Sequence, residues 1–107
     1  MELLTFAEAA AVQGLPVTRV TQQVRDGHLV SLDTPDGSRI PADFLQDGAP
    51  VKGLAGVITL LRDGGFRDVE IVDWLHRDDA SLPGTPIEAL RGNRGREIKR
   101  RAQAAAF

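Results

Sequence analysis

Residues 3–41, LLTFAEAAAVQGLPVTRVTQQVRDGHLVSLDTPDGSRIP, contain the patterns that decide the fold. The alanine-rich run Phe6–Gln13 follows Thr5, and the spacing of Thr5 and Glu8 is that of a capping box at a helix start. Gly14 stands where a helix-ending glycine is expected, and the proline two residues later prevents the helix from continuing. We therefore predict a first helix that ends in a tight turn.

A second helix is predicted directly after this turn, from Thr18 as the N-cap to Asp26. Val20 and Val24 share one face, which we expect to pack on the first helix together with Leu15 and Val17. The other face presents Thr18, Arg19, Gln22, Gln23 and Arg25. Glutamine and arginine can bond bidentately to adenine and guanine, and both can reach phosphates. This face is the candidate DNA-recognition surface, and the alternative is an ordinary solvated helix face.

A hairpin is predicted next, because His28–Asp33 alternates apolar and polar residues over a strand length. Thr34–Gly37 has the proline and glycine of a turn, and Ser38–Ile40 would be the returning strand. Two helices and a hairpin in this order are typical of a winged helix-turn-helix. Arg39 is the only basic residue of this wing and can contact a phosphate or the minor groove; the alternative is a hairpin that only covers the core.

The rest of the chain is predicted to be helical. The expected helices are Pro41–Leu45, an almost uniformly apolar Gly53–Arg62, Val69–His76 capped by Asp68, a helix ending at Leu90 after a Thr85/Glu88 capping box, and Arg96–Ala105. The fold class is thus mainly α with a small β-hairpin wing. We divide the chain into a winged helix-turn-helix unit, residues 1–48, and a C-terminal helical segment, residues 49–107, for core completion, dimerisation or partner binding.

Charge is distributed unevenly along a chain whose net charge is −2. Residues 1–50 have only three arginines against seven acids, which disfavours contact with phosphates, although the arginines fall on the predicted contact elements. The C-terminal region is basic. Its Arg94, Arg96, Lys99 and Arg100 are candidates for secondary phosphate contacts, and the alternative is a solvated helix face.

Catalysis is not expected from this composition. The chain has no cysteine or tyrosine, its histidines His28 and His76 lie on distant elements, and no phosphate-binding glycine motif is present. We predict no catalytic residue, no metal site and no cofactor. No apolar run approaches the roughly 20 residues that span a membrane, and no secretory signal pattern is visible, so the expected location is cytoplasmic.

The chain resembles the small actinobacterial winged helix-turn-helix DNA-binding protein family known from mycobacteria, with a MerR-like and excisionase-like first unit. The resemblance is carried by Leu15–Val20, Gln22–Val30, Ile40–Pro41, Val51–Leu54, Leu61–Asp68, Glu70–Ile71, Trp74–Leu75, Pro86–Leu90 and Arg100–Ala104. It implies a transcriptional regulator or nucleoid-associated factor whose partner is double-stranded DNA. The DNA-contacting positions it implies are Thr18, Arg19, Gln22, Gln23, Arg25 and Arg39.

A weaker resemblance concerns the C-terminal half, which is similar to the toxin-binding segment of some antitoxins. The matching residues are Asp73–Leu75, Leu82, Thr85–Leu90 and Arg96–Glu97. It implies an alternative function, an antitoxin-like or adaptor protein. Residues 51–107 would then bind a protein partner or a second copy of the chain.

Overall fold

The first helix begins at the predicted capping box. In the computed structural model, which describes residues 1–107, α1 spans Phe6–Gln13. The Thr5 hydroxyl accepts from the Glu8 amide at 3.0 Å, and the Glu8 carboxylate accepts from the Thr5 amide at 2.8 Å. The bond from the Thr5 amide lowers the pKa of Glu8 below its ordinary value. Gly14, in the left-handed conformation with φ 67°, ends the helix.

The other elements follow α1 in an order that confirms a mainly helical chain with a small hairpin. The strands are β1 (Leu3–Leu4), β2 (Leu32–Thr34), β3 (Gly37–Pro41), β4 (Leu45–Gln46) and β5 (Ala49–Pro50). The remaining helices are α2 (Val17–Arg25), α3 (Leu54–Asp63), α4 (Asp68–Leu75), α5 (Pro86–Arg91) and α6 (Gly95–Ala106), and one 3₁₀ turn covers Ala42–Phe44. None of these helices is both long and apolar enough to cross a membrane.

The predicted N-cap of α2 is wrong by two residues. The helix begins at Val17 after an N-cap at Pro16, which makes no side-chain cap, so Thr18 lies inside the first turn. Val20 is fully buried as predicted, but Val17 is 46% exposed and does not join it in the core. The reason is the shortness of the turn, since only three residues separate α1 from α2 and the extended Pro16 leads straight into the helix.

The wing is shorter than predicted and belongs to a three-stranded sheet. β2 starts only at Leu32, because Leu29 and Val30 are both fully buried, and two successive inward side chains break the alternation of a strand. β2 and β3 are antiparallel and are joined by the two-residue turn Pro35–Asp36. On its other side β3 pairs with β1, a strand that the sequence did not predict.

A second short ladder, β4 with β5, was also missed. Its turn residues Asp47 and Gly48 have φ values of 54° and 76°, as a type I′ turn requires. Asp-Gly is a recognised signal for this turn, so the sequence did contain the information. The chain leaves this turn and enters α3 within six residues.

The C-terminal helices pack through one face each. The predicted capping box of Thr85 and Glu88 is present at α5, with Pro86 in the first turn. Although the sequence of α3 is almost uniformly apolar, the helix buries only the stripe Leu54, Val57, Ile58 and Leu61. The expected cap of α4 is wrong, because Asp68 is the first residue of that helix. Arg67 occupies the cap position, and Asp68 accepts from the Arg62 guanidinium at 2.9 Å.

One hydrophobic cluster of 22 buried residues includes side chains from both halves of the chain. Polar contacts join the halves as well. The Arg91 guanidinium donates to the carbonyls of Asp43 at 2.9 Å and Leu45 at 2.7 Å, and the Gln46 amide donates to the Arg91 carbonyl at 3.2 Å. The division at residues 48 and 49 stays a prediction, but the two segments share their core.

His76 also connects the halves. Its Nδ1 lies 2.8 Å from the Val72 carbonyl, and its Nε2 lies 2.9 Å from the Asp43 carboxylate. Both partners are acceptors, so both ring nitrogens donate when the imidazole is protonated. Burial alone lowers the pKa of His76, but the bonds to Asp43 and Val72 and the charge of Asp43 outweigh burial and raise it.

We expect stability to fall as the pH rises through the elevated pKa of folded His76. A raised folded-state pKa means that the stabilisation is complete below the unfolded value of about 6.5 and is lost above the folded value. Urea unfolding between about pH 5.5 and 8.5 should show this loss in the wild type and not in Asp43→Asn. Equal pH dependence of the free energy of unfolding in both proteins would contradict it, and His28→Gln is the control that should keep the wild-type slope.

Candidate nucleic-acid interface

The exposed face of α2 is polar and free of internal partners. Thr18, Arg19, Gln22 and Arg25 are exposed, and none of their side chains makes a hydrogen bond or ion pair within the protein. A helix turns by about 100° per residue, which places Thr18, Gln22 and Arg25 in one stripe with Arg19 beside it. The buried Val20 lies on the opposite side and fixes the helix to the core. The helix therefore presents two cations and two polar groups outward from a rigid support.

Gln23 differs from its neighbours because it has a partner inside the protein. Its side-chain amide nitrogen donates to Oε1 of Gln13 at 2.8 Å, and the amide of Gln13 donates back to Oε1 of Gln23 at 2.9 Å. Gln13 also donates to the Ala9 carbonyl at 3.3 Å. This reciprocal pair joins the end of α1 to the last turn of α2. Gln13 carried no signal in the sequence, because the pair exists only once the two helices cross.

Arg39 lies on β3 and folds back over the wing. Its two terminal nitrogens donate to the carbonyls of Ser38 at 3.1 Å and Asp36 at 2.9 Å. A guanidinium has five N–H donors, so three remain free in this arrangement. The side chain is thus held near the wing turn with donors available for an acidic group.

The acids of the first half are partly occupied by local contacts. Glu8 caps α1, Asp43 bonds to His76, and Asp33 accepts from the Ser38 hydroxyl at 3.1 Å. Asp26, directly after α2, is exposed and lies closest in sequence to the polar face. These contacts hold the carboxylates in place, but Glu8 and Asp33 accept from uncharged donors and keep their negative charge.

The basic residues of the last helix divide into two groups. Arg94 and Arg101 both donate to Glu97, at 2.6 Å and 2.9 Å, and these bonds lower the pKa of the Glu97 carboxyl. Arg96, Lys99 and Arg100 are exposed and have no hydrogen-bond or ion-pair partner. Three of the four predicted secondary cations are therefore unpaired, and Arg94 is engaged.

No group of three or more His, Cys, Asp or Glu side chains lies close enough together to hold a metal ion. His76, the histidine nearest to the acidic pair Asp78 and Asp79 in sequence, bonds instead to Asp43. Asp79 accepts from Arg101 and from Ser81.

Known protein families match both segments of the chain, the winged helix-turn-helix and the C-terminal helical segment. Residues 1–45 match the family described as the wHTH domain of the DNA-binding protein Rv2175c, and residues 51–106 match the Rv2175c C-terminal domain of unknown function. A curated relative, the DNA-binding protein Rv2175c of Mycobacterium tuberculosis (strain ATCC 25618 / H37Rv), is 42% identical across 92% of this chain and 76% of its own length. The NMR structure of Rv2175c superposes with a TM-score of 0.91 at 39% identity, covering 99% of this chain and 82% of that one.

Proposed function

The chain belongs to the family of the mycobacterial DNA-binding protein Rv2175c, and on this basis we propose that it binds double-stranded DNA through α2 and the wing. The winged helix-turn-helix supplies the scaffold. The observation that carries the assignment is the outward face of α2, where Arg19, Gln22 and Arg25 lack any internal partner. In this class of fold the second helix enters the major groove.

The proposed contacts follow from the environment of each side chain. Arg19, Gln22 and Arg25 reach base edges or phosphates, Thr18 contacts a phosphate, and Arg39 uses its free donors at the flanking backbone. For Gln23 we propose a positioning role, because its amide is held by Gln13. This DNA-binding role is a binding function without catalysis, and it would place the protein at the nucleoid in the cytoplasm.

The secondary phosphate contacts at Arg94, Arg96, Lys99 and Arg100 stay a prediction, as does a protein partner or homodimer through residues 51–107. Several residues of the antitoxin-like pattern are internal to the protein. Leu75, Leu82, Ile87 and Leu90 all belong to the buried core, which accounts for their spacing without a partner.

We expect Arg19→Ala to weaken binding to a duplex of about two helical turns by roughly 1–3 kcal/mol if Arg19 contacts a base. If it contacts a phosphate instead, the negative slope of log K against log salt should become shallower by about 1. Fluorescence anisotropy across a salt series measures both quantities.

The matched control is Arg77→Ala, which removes the same charge from the end of α4, where Arg77 pairs with Asp73. A loss of affinity confined to Arg19→Ala supports the assignment of α2 as the contact helix. Equal affinities for the two variants would exclude Arg19 from the interface. No salt-dependent binding by the wild type would exclude the proposed function.

A further inference from the structure

A separate basic cleft of about 700 Å³ lies where the residues that begin α3 meet those that begin α6. We infer that this cleft binds phosphate groups. Three cations line it, Lys52 before α3 and Arg96 and Lys99 on α6. Lys52 and Lys99 are 47 positions apart in sequence, so only the tertiary fold brings them to one place.

The charge in the cleft is uncompensated. No acidic residue is among its lining residues, although the chain as a whole has a net charge of −2. Lys52, Arg96 and Lys99 have no ion-pair partner, and Glu97 on the same helix is bound by Arg94 and Arg101. An anion would neutralise cations that the protein itself leaves without a partner.

The lysine composition is informative too. The chain has eleven arginines and only two lysines, and both lysines line this cleft. Lysine presents a compact point charge with three donors and is a common phosphate binder, and the Arg96 guanidinium adds planar donors. Only one lining residue, Leu90, is hydrophobic, so the cleft does not suit an apolar ligand.

Gly56 provides a second observation that points to an occupied cleft. It lies in the first turn of α3, and glycine is a poorer helix former than alanine, by about 1 kcal/mol in a helix interior. A Cβ at this position would meet no atom within 4 Å, and its φ is not positive, so packing and backbone conformation do not require a glycine. Because Gly56 lines the cleft, a side chain here would take up space that the ligand needs.

The backbone around the cleft adds to the positive potential of the cations. Neither α3 nor α6 has a side-chain cap, and the first turn of a helix leaves backbone amides without an intrahelical acceptor. The two helix starts lie close together, since a Cβ built on Gly53 would be in ordinary van der Waals contact with the Cα of Gly95, at 3.9 Å. The phosphate can come from the DNA backbone or from a free phosphate compound. Only the first source rests on the proposed function.

The test compares Gly56→Glu with its neutral match Gly56→Gln. Both variants fill the same volume, and only the glutamate adds a negative charge among the three cations. In one arm, inorganic phosphate is titrated at constant ionic strength while NMR follows the two ¹³C-methylated lysines, which keep their charge. In the other arm, anisotropy gives the salt dependence of binding to a duplex.

A free phosphate source predicts saturable shifts of Lys52 and Lys99 that Gly56→Glu abolishes and Gly56→Gln retains in part. A DNA source predicts that the slope of log K against log salt becomes shallower by about 2 in Lys52→Gln/Lys99→Gln and by a similar amount in Gly56→Glu.

Either result supports the inference, and the double lysine variant keeps the test open if Gly56→Glu does not fold. If neither arm distinguishes Gly56→Glu from Gly56→Gln and the lysine variant behaves as wild type, the inference is overturned. Weaker DNA binding by Arg19→Ala tests the proposed function independently.

Discussion

Phe44→Ala is expected to lower the free energy of unfolding by about 3–5 kcal/mol. Phe44 is fully buried in the 3₁₀ turn that connects the wing to β4, and its ring stacks on His76 with the centroids 5.6 Å apart. Truncation removes the ring and leaves a cavity between the two halves of the chain. Small domains are stable by only about 5–15 kcal/mol, so this loss takes a large share of the total.

Phe107→Ala is the matched control, since the same substitution is made at a phenylalanine that is 81% exposed. A surface change of this kind should stay within about 0.5 kcal/mol. Urea denaturation measures both variants, and Phe44→Leu supplies a milder truncation if Phe44→Ala does not fold. Similar midpoints for Phe44→Ala and Phe107→Ala would show that the junction is not part of the stabilising core.

Local signals explain why much of the fold was predictable. The capping boxes at Thr5/Glu8 and Thr85/Glu88 act within four residues, and so do the helix end at Gly14 and the Thr34–Gly37 turn. Two-residue strands such as β1 and β4 are too short to show a period-2 pattern, so they were missed. The start of α2 depended on how tightly the turn at Pro16 closes, which residue preferences do not determine.

The candidate site likewise contains some features that local sequence patterns predict and others that depend on tertiary packing. The outward stripe of α2 followed from helical periodicity, since the buried position of Val20 determines which side faces solvent. The partner of Gln23 could not be predicted, because Gln13 meets it only when α1 and α2 cross. The same holds for Lys52 and Lys99, which converge through the packing of α3 on α6. Helical periodicity thus identified the exposed surface, and tertiary packing determined which of its groups remain free.

Residues 1–48 expressed alone are expected to remain unfolded, although this segment contains the whole winged helix-turn-helix. Its share of the common core is small: Ala9, Ala10, Val20, Leu29, Val30, Ile40, Phe44 and Leu45. The other fourteen of the 22 core residues lie in 49–107. Chains of about 40 to 60 residues are marginal without added cross-links, and this sequence has no cysteine to supply one.

Circular dichroism and urea titration should therefore find no cooperative transition in the fragment, and duplex binding should be lost along with the fold. An equimolar mixture with residues 49–107 is the control, because it restores the missing side chains without the covalent link at the exposed Asp47–Gly48 turn. Recovery of helicity and of DNA binding that depends on Arg19 would show that the C-terminal helices act as structural support for α2. A fragment that unfolds cooperatively and binds DNA like the full chain would contradict this dependence and establish residues 1–48 as an autonomous domain.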